Sequence, residues 1–124
     1  MTSYLVHKRE KVAVLELPFR VDSETALDFE KQLQSLVNEE SSILCDFSRN
    51  TYISSMGLRI LLSGYKTMKK SGRTLALCSL SPYVQEVFDI SGFSRLFQIY
   101  ISESEALTHI SSDSGALSSP TGEG

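Results

Sequence analysis

Three short apolar runs, at 12–17, 42–47 and 73–78, are separated by stretches whose apolar residues recur at helical spacing. That alternation restricts the fold more than any other feature of the chain. Val12, Ala13, Val14 and Leu15 are apolar at successive positions, as are Ile43, Leu44 and Cys45, and Leu75, Ala76, Leu77 and Cys78. A strand apolar on both faces is an interior strand. Strands that alternate with helices require crossover connections, and therefore a parallel sheet. Pro18 ends the run at 12–17, since it cannot donate to a strand ladder. Leu5 and Val6 precede a charged turn at 8–11 and read as an antiparallel hairpin partner.

The helices follow from caps and stripes. Asp22 or Ser23 is expected to cap the first, with Ala26, Phe29 or Leu27, Leu33, Leu36 and Val37 inward and an end near 38–41. A second helix is expected at about 55–70, with Leu58, Leu61, Leu62, Tyr65 and Met68 inward and Ser71-Gly72 closing it. Residues 48–52 read as a loop. A third helix begins within 79–82, carries Pro82 in its first turn, buries Val84, Val87 and Phe88, and ends at Gly92. A last strand at 96–101 is followed by a helix capped by Ser102 and running to about 110. The expected fold is α/β, a single domain over 1–110 in the order β-β-α-β-α-β-α-β-α. Its sheet is mostly parallel, with the antiparallel strand at its N-terminal edge. Residues 111–124 are mostly Ser, Gly, Pro and Thr and are expected to form a disordered tail.

Charge excludes several functions. Twelve basic and fifteen acidic residues are interspersed, for a formal charge of −3. That leaves no electrostatic footprint for nucleic acid. Lys66, Lys69, Lys70 and Arg73 fit the solvated, cation-favouring end of a helix. No run approaches the roughly 20 apolar residues of a membrane helix, and no secretory pattern opens the chain, so a cytoplasmic protein without membrane contact is expected. Cys45 and Cys78 lie inside apolar runs and read as core. Two histidines near the ends, and no nucleophile elbow, phosphate loop or metal motif, argue against an enzyme and against a cofactor. Asp46, where a parallel strand ends, occupies the place where ligands of such sheets gather; its plainer role is to order the loop.

The segment Tyr52-Ile53-Ser54-Ser55-Met56-Gly57-Leu58 sets two hydroxyls at the start of the second helix. Backbone N–H groups there lack partners within the helix, and the dipole favours an anion. A hydroxyl can cap such a terminus, and a phosphate would be held well. The position suits a serine that is reversibly phosphorylated.

Taken with the order of elements, Leu44-Cys45-Asp46-Phe47-Ser48, the Ser-x-Gly-Leu segment running on to Leu62, and Val87-Phe88-Asp89-Ile90-Ser91-Gly92-Phe93 resemble the stand-alone STAS domains that act as anti-sigma factor antagonists. The resemblance spans about 4–110. It implies a partner-switching module without catalytic activity. The unphosphorylated form binds an anti-sigma factor that is also a serine/threonine kinase using Mg-ATP, which frees a sigma factor; phosphorylation inactivates the module and a serine phosphatase restores it. By the same resemblance Ser55 is the phosphorylated residue, and Asp22, Ser23, Asp46, Ser54, Met56, Gly57 and Leu58 join it in the partner surface. The chain departs from the family at Ser54, often Asp, at Met56, commonly Ser or Ala, and at Leu17-Pro18-Phe19-Arg20, often Gly and an acidic residue. Two other readings compete: a STAS subunit of a stress-signalling scaffold or lipid-transport complex, and a small hydrolase using Ser55.

Overall fold

A computed structural model describes residues 5–9 and 11–116. Seven strands and four helices are described: β1 (Leu5–Arg9), β2 (Val12–Glu16), β3 (Arg20–Val21), α1 (Ala26–Glu39), β4 (Ser42–Asp46), β5 (Tyr52–Ile53), α2 (Ser55–Lys70), β6 (Thr74–Cys78), α3 (Pro82–Ser91), β7 (Gln98–Tyr100) and α4 (Glu103–Ala116). Five strands form the main sheet in the order β1-β2-β4-β6-β7, with β1 antiparallel to β2 and the rest parallel. The expected fold class is therefore found.

Each parallel strand is added beside its predecessor in the same direction, so crossovers of one hand place successive helices on one face. The packing shows this. Ala13, Leu15, Ile43, Cys45, Leu75 and Leu77 point to the face covered by α1, α2 and α3, around Phe29, Leu33, Leu61, Met68, Val84 and Phe88. The alternate residues Val12, Val14, Leu44, Ala76 and Cys78 point to the other face, covered by Ala106 and Ile110 of α4. Continuous apolar runs were needed because both faces are buried. Both cysteines are buried and free.

Several boundaries differ from those expected. Thr25, not Asp22 or Ser23, is the residue before α1, and its side chain does not cap the helix. The Asp22 carboxylate instead accepts the Glu24 and Thr25 N–H groups and closes a turn that precedes the helix. In α2 the buried residues are Gly57, Ile60, Leu61, Gly64 and Met68, while Leu62 is only half-buried. This helix packs against both the sheet and α1, so Ile60 and Gly64 form a second buried strip. α4 runs to Ala116, six residues past its expected end, through part of the segment expected to be a disordered tail. Residues 117–124 lie outside the described residues. The last strand is confined to Gln98–Tyr100, because the Leu96 and Phe97 N–H groups bond back to Phe93 O at the 3-10 turn Phe93–Arg95 and are not offered to the sheet. Gly92 ends α3 as expected, with φ of 84°. Among the described residues no helix is long and apolar enough to cross a membrane.

The segment expected as a loop before α2 contains β5, which pairs in parallel with β3 in a separate two-stranded sheet. The pairing aligns Arg20 with Tyr52 and Val21 with Ile53. Thr51 N–H donates to Phe19 O and Ser54 N–H to Val21 O, extending the ladder at both ends. The side chain of Asn50, 1% exposed, donates from Nδ2 to Pro18 O and Tyr52 O. These bonds fix the chain where it enters α2.

Candidate functional site: the N-terminus of α2

Ser54 is the N-cap of α2, with extended backbone and its Oγ accepting the Gly57 N–H at 3.2 Å. Its hydroxyl is thus committed to the helix. Ser55 is the first helical residue; it is exposed, and among the described residues its hydroxyl has no hydrogen-bond partner. The expectation that a hydroxyl caps this helix is met by Ser54, which leaves Ser55 Oγ available to react.

Gly57 lets the helix start close to the small sheet. A Cβ there would stand 2.8 Å from Ile53 Cγ1 and 2.8 Å from Val21 Cγ1. Any larger residue would have to push the first turn of α2 away from β3 and β5. Leu58 is half-buried against the core, while Met56 is 44% exposed beside Ser55.

The turn after β3 flanks the same site. Because Ser54 N–H bonds Val21 O, Asp22 is the next residue along the ladder. Its carboxyl is held below the usual range, chiefly by the Glu24 backbone N–H, which outweighs the opposing effect of desolvation, with lesser help from the Arg20 guanidinium and Thr25. Arg20 Nε lies 3.3 Å from Asp22 Oδ2, and the guanidinium sits 4.3 Å above the Tyr52 ring. Tyr52 in turn stacks on Tyr83 of α3, with centroids 6.5 Å apart and planes 13° apart. Ser23 is exposed in the turn.

Asp46 is placed differently. It shares a strand face with Leu44, on the side of α4, and is 6% exposed. Its Oδ1 accepts the Ser48 N–H at 2.9 Å and faces the Cys78 thiol at 3.8 Å. Its hydrogen bonds turn the chain out of β4; none reaches Ser54 or Ser55. Burial, joined by the negative charge of Asp46, pushes the Cys78 thiol up to about 12. Burial likewise raises Cys45. Neither thiol is a nucleophile at neutral pH.

Between the first turns of α1 and α2 lies a hollow of about 270 Å³, lined by Leu27, Glu30, Met56, Arg59, Ile60 and Ser63. Leu27 is 65% exposed here, on the solvent side of the stripe that buries Phe29. Sequence reasoning missed this hollow and the Arg20–Tyr52–Tyr83 stack. The position of Arg59 four residues after Ser55, one helical turn on, was a signal available in the sequence. No group of three or more His, Cys, Asp or Glu residues is placed to hold a metal among the described residues.

The model of the STAS domain family matches residues 3–106, which is most of the chain. The chain belongs to the STAS family. Two relatives carry the name of anti-sigma factor antagonist. BtrV of Bordetella bronchiseptica is 40% identical over 80 residues, covering 64% of this chain and 69% of its own. The anti-sigma F factor antagonist of Paenibacillus polymyxa is 26% identical over 101 residues, covering 80% of this STAS chain and 86% of its own. Among solved structures, the anti-sigma factor antagonist SpoIIAA in its unphosphorylated form has the same fold, with TM-score 0.74 and 18% identity over 87% of this chain and 96% of its own. The SpoIIAA of Bacillus has also been solved in a phosphorylated form, which matches with TM-score 0.69 and 17% identity over 87% of this chain and 99% of its own.

Proposed function

We propose that this STAS domain is a phosphorylatable anti-sigma factor antagonist whose switch residue is Ser55. The unphosphorylated form docks on an anti-sigma factor that is also a serine kinase, and a sigma factor is freed. In the reverse step the γ-phosphoryl group of Mg-ATP passes to Ser55 Oγ, the hydroxyl proton is released and ADP leaves. A serine phosphatase then regenerates the hydroxyl. The domain is the substrate of these enzymes and has no catalytic role of its own.

The observation that carries this reading is the unequal use of two adjacent serines. Ser54 Oγ is held by the Gly57 N–H, whereas Ser55 Oγ is exposed and, among the described residues, unbonded at the same helix start. Phosphorylation adds about −1.5 to −2 charges at neutral pH, and a helix N-terminus accommodates that charge. The switch therefore acts through the docking surface, with the fold intact. The names of the relatives support the same reading, as does the existence of a phosphorylated form of SpoIIAA.

The test is to capture the kinase from the source cells on immobilised chain, produce it recombinantly, and measure affinity and phosphate incorporation with and without Mg-ATP. Ser55→Ala takes no phosphate and stays bound in ATP, Ser54→Ala is still phosphorylated, and Ser55→Asp folds but binds weakly. Phosphate placed on Ser54, or on neither serine, refutes the assignment.

A further inference from the structure

Arg59 follows Ser55 by four residues, so the two lie one above the other on α2. Both are exposed. Among the described residues Arg59 makes no hydrogen bond or ion pair, although Glu30 lines the opposite wall of the same hollow. The walls between them are apolar: Leu27 and Met56 stand out from the surface and Ile60 forms the floor.

We infer that Arg59 reads the phosphorylation state of Ser55 and that the hollow beside it is the docking site for an acidic–apolar segment of the protein partner. This rests on Ser55 being the switch residue. With the hydroxyl free, Arg59 is an unengaged cation at the rim of an apolar hollow. A partner segment that places an apolar side chain between Leu27 and Met56 and a carboxylate on the α2 side satisfies both. The Glu30 carboxylate repels an acid on the α1 side, so charge fixes the direction in which the segment lies. With phosphate on Ser55, an anion lies one turn N-terminal to Arg59, the favourable order for an i,i+4 pair. The phosphate takes the guanidinium that the partner's carboxylate would have used. Phosphorylation then acts twice, by adding a negative group and by withdrawing a positive one.

The first arm of the test needs no partner. The full chain is produced with phosphoserine encoded at 55, carrying Arg59, Arg59→Lys or Arg59→Gln, and the phosphate is titrated by ³¹P NMR. Backbone N–H groups at the helix start lower its second pKa equally in all three. An Arg59 pair lowers it further, so Arg59→Gln should titrate about 0.3 unit higher than wild type, with Lys restoring most of the difference. In 1 M salt the difference should collapse, since the Debye length is then about 3 Å. Coincident curves for Arg and Gln at low salt overturn the capture. The second arm measures unphosphorylated chain against the purified kinase: Arg59→Gln should bind about tenfold more weakly and Arg59→Glu more weakly still. Wild-type affinity in both variants overturns the docking role. Failure of the switch reading shows separately, as a kinase that leaves Ser55 unmodified while the ³¹P shift is still present.

Discussion

Replacing Gly57 by alanine sets two effects of similar size against each other at the start of α2. Alanine is the better helix former by about 0.5–1 kcal/mol. Its Cβ would meet Ile53 Cγ1 and Val21 Cγ1 at 2.8 Å, and these atoms branch directly from strands held in register by the β3–β5 ladder. Neither side chain can swing away, since both are buried. Overpacking of this kind costs about 1–3 kcal/mol, so the net loss should be about 1–2 kcal/mol. With a urea m-value of about 2 kcal/mol/M, the unfolding midpoint should fall by about 0.5–1 M. Gly64 is the internal control. A Cβ there meets Leu33 Cδ2 at 2.9 Å. Leu33 is buried too, but it and Gly64 border a hollow of about 220 Å³ between α1 and α2 into which the end of the side chain can shift. Gly64→Ala should therefore cost less than Gly57→Ala and lie within about 0.5 kcal/mol of wild type. In an Ile53→Ala background, where Cγ1 is gone, the penalty of Gly57→Ala should shrink by about 0.5–1 kcal/mol. If Gly57→Ala is as stable as wild type, or if Gly64→Ala costs more, the close approach of α2 to the small sheet does not constrain residue 57.

Ser54→Ala should lose about 1 kcal/mol in urea unfolding by removing the cap on Gly57 N–H, while Ser55→Ala should lose almost none; equal losses would contradict the unequal roles of the two hydroxyls. The Cys78 thiol, raised to about 12, should react with a thiol reagent at pH 8 only as fast as the protein opens; a rate like that of the unfolded chain would show it accessible. Asp22 has its folded pKa below its unfolded value, so its stabilisation is present in full above the unfolded value and is lost as pH falls through the folded one. Asp22→Asn should therefore lower stability at pH 7 more than at pH 2–3, measured by urea midpoints; an equal loss at both would show that the charge is not what the Glu24 and Thr25 N–H groups hold.

The buried strands and the helix at Ser55 were legible in the sequence because burial on both faces leaves a mark at every residue. Val12 to Leu15, and Leu75 to Cys78, have no other economical arrangement. What was illegible is short or shared between elements. β3 and β5 are two residues each, too few to show a period, and their pairing spans more than thirty residues of chain. Asn50 resembles an ordinary turn residue; its burial follows from carbonyls at Pro18 and Tyr52 that only the fold brings together. Ile60 and Gly64 were missed because a single apolar stripe was sought on a helix that packs on two sides. At the site, the paired serines were visible, but which hydroxyl caps the helix was a matter of one residue of register, which periodicity cannot resolve.

The unequal covering of the two sheet faces also has a consequence for synthesis. One face is sealed by three helices that lie between the strands they connect, so each is made as its strands appear. Among the described residues the other is sealed by α4 alone, the last of the described elements to leave the ribosome. Until Ala106 and Ile110 emerge, Val12, Val14, Leu44 and Ala76 have no cover, and the nascent chain presents a wet apolar sheet to its neighbours. A chain truncated before α4 should bind a hydrophobic dye and recruit chaperones, and the released full chain should not.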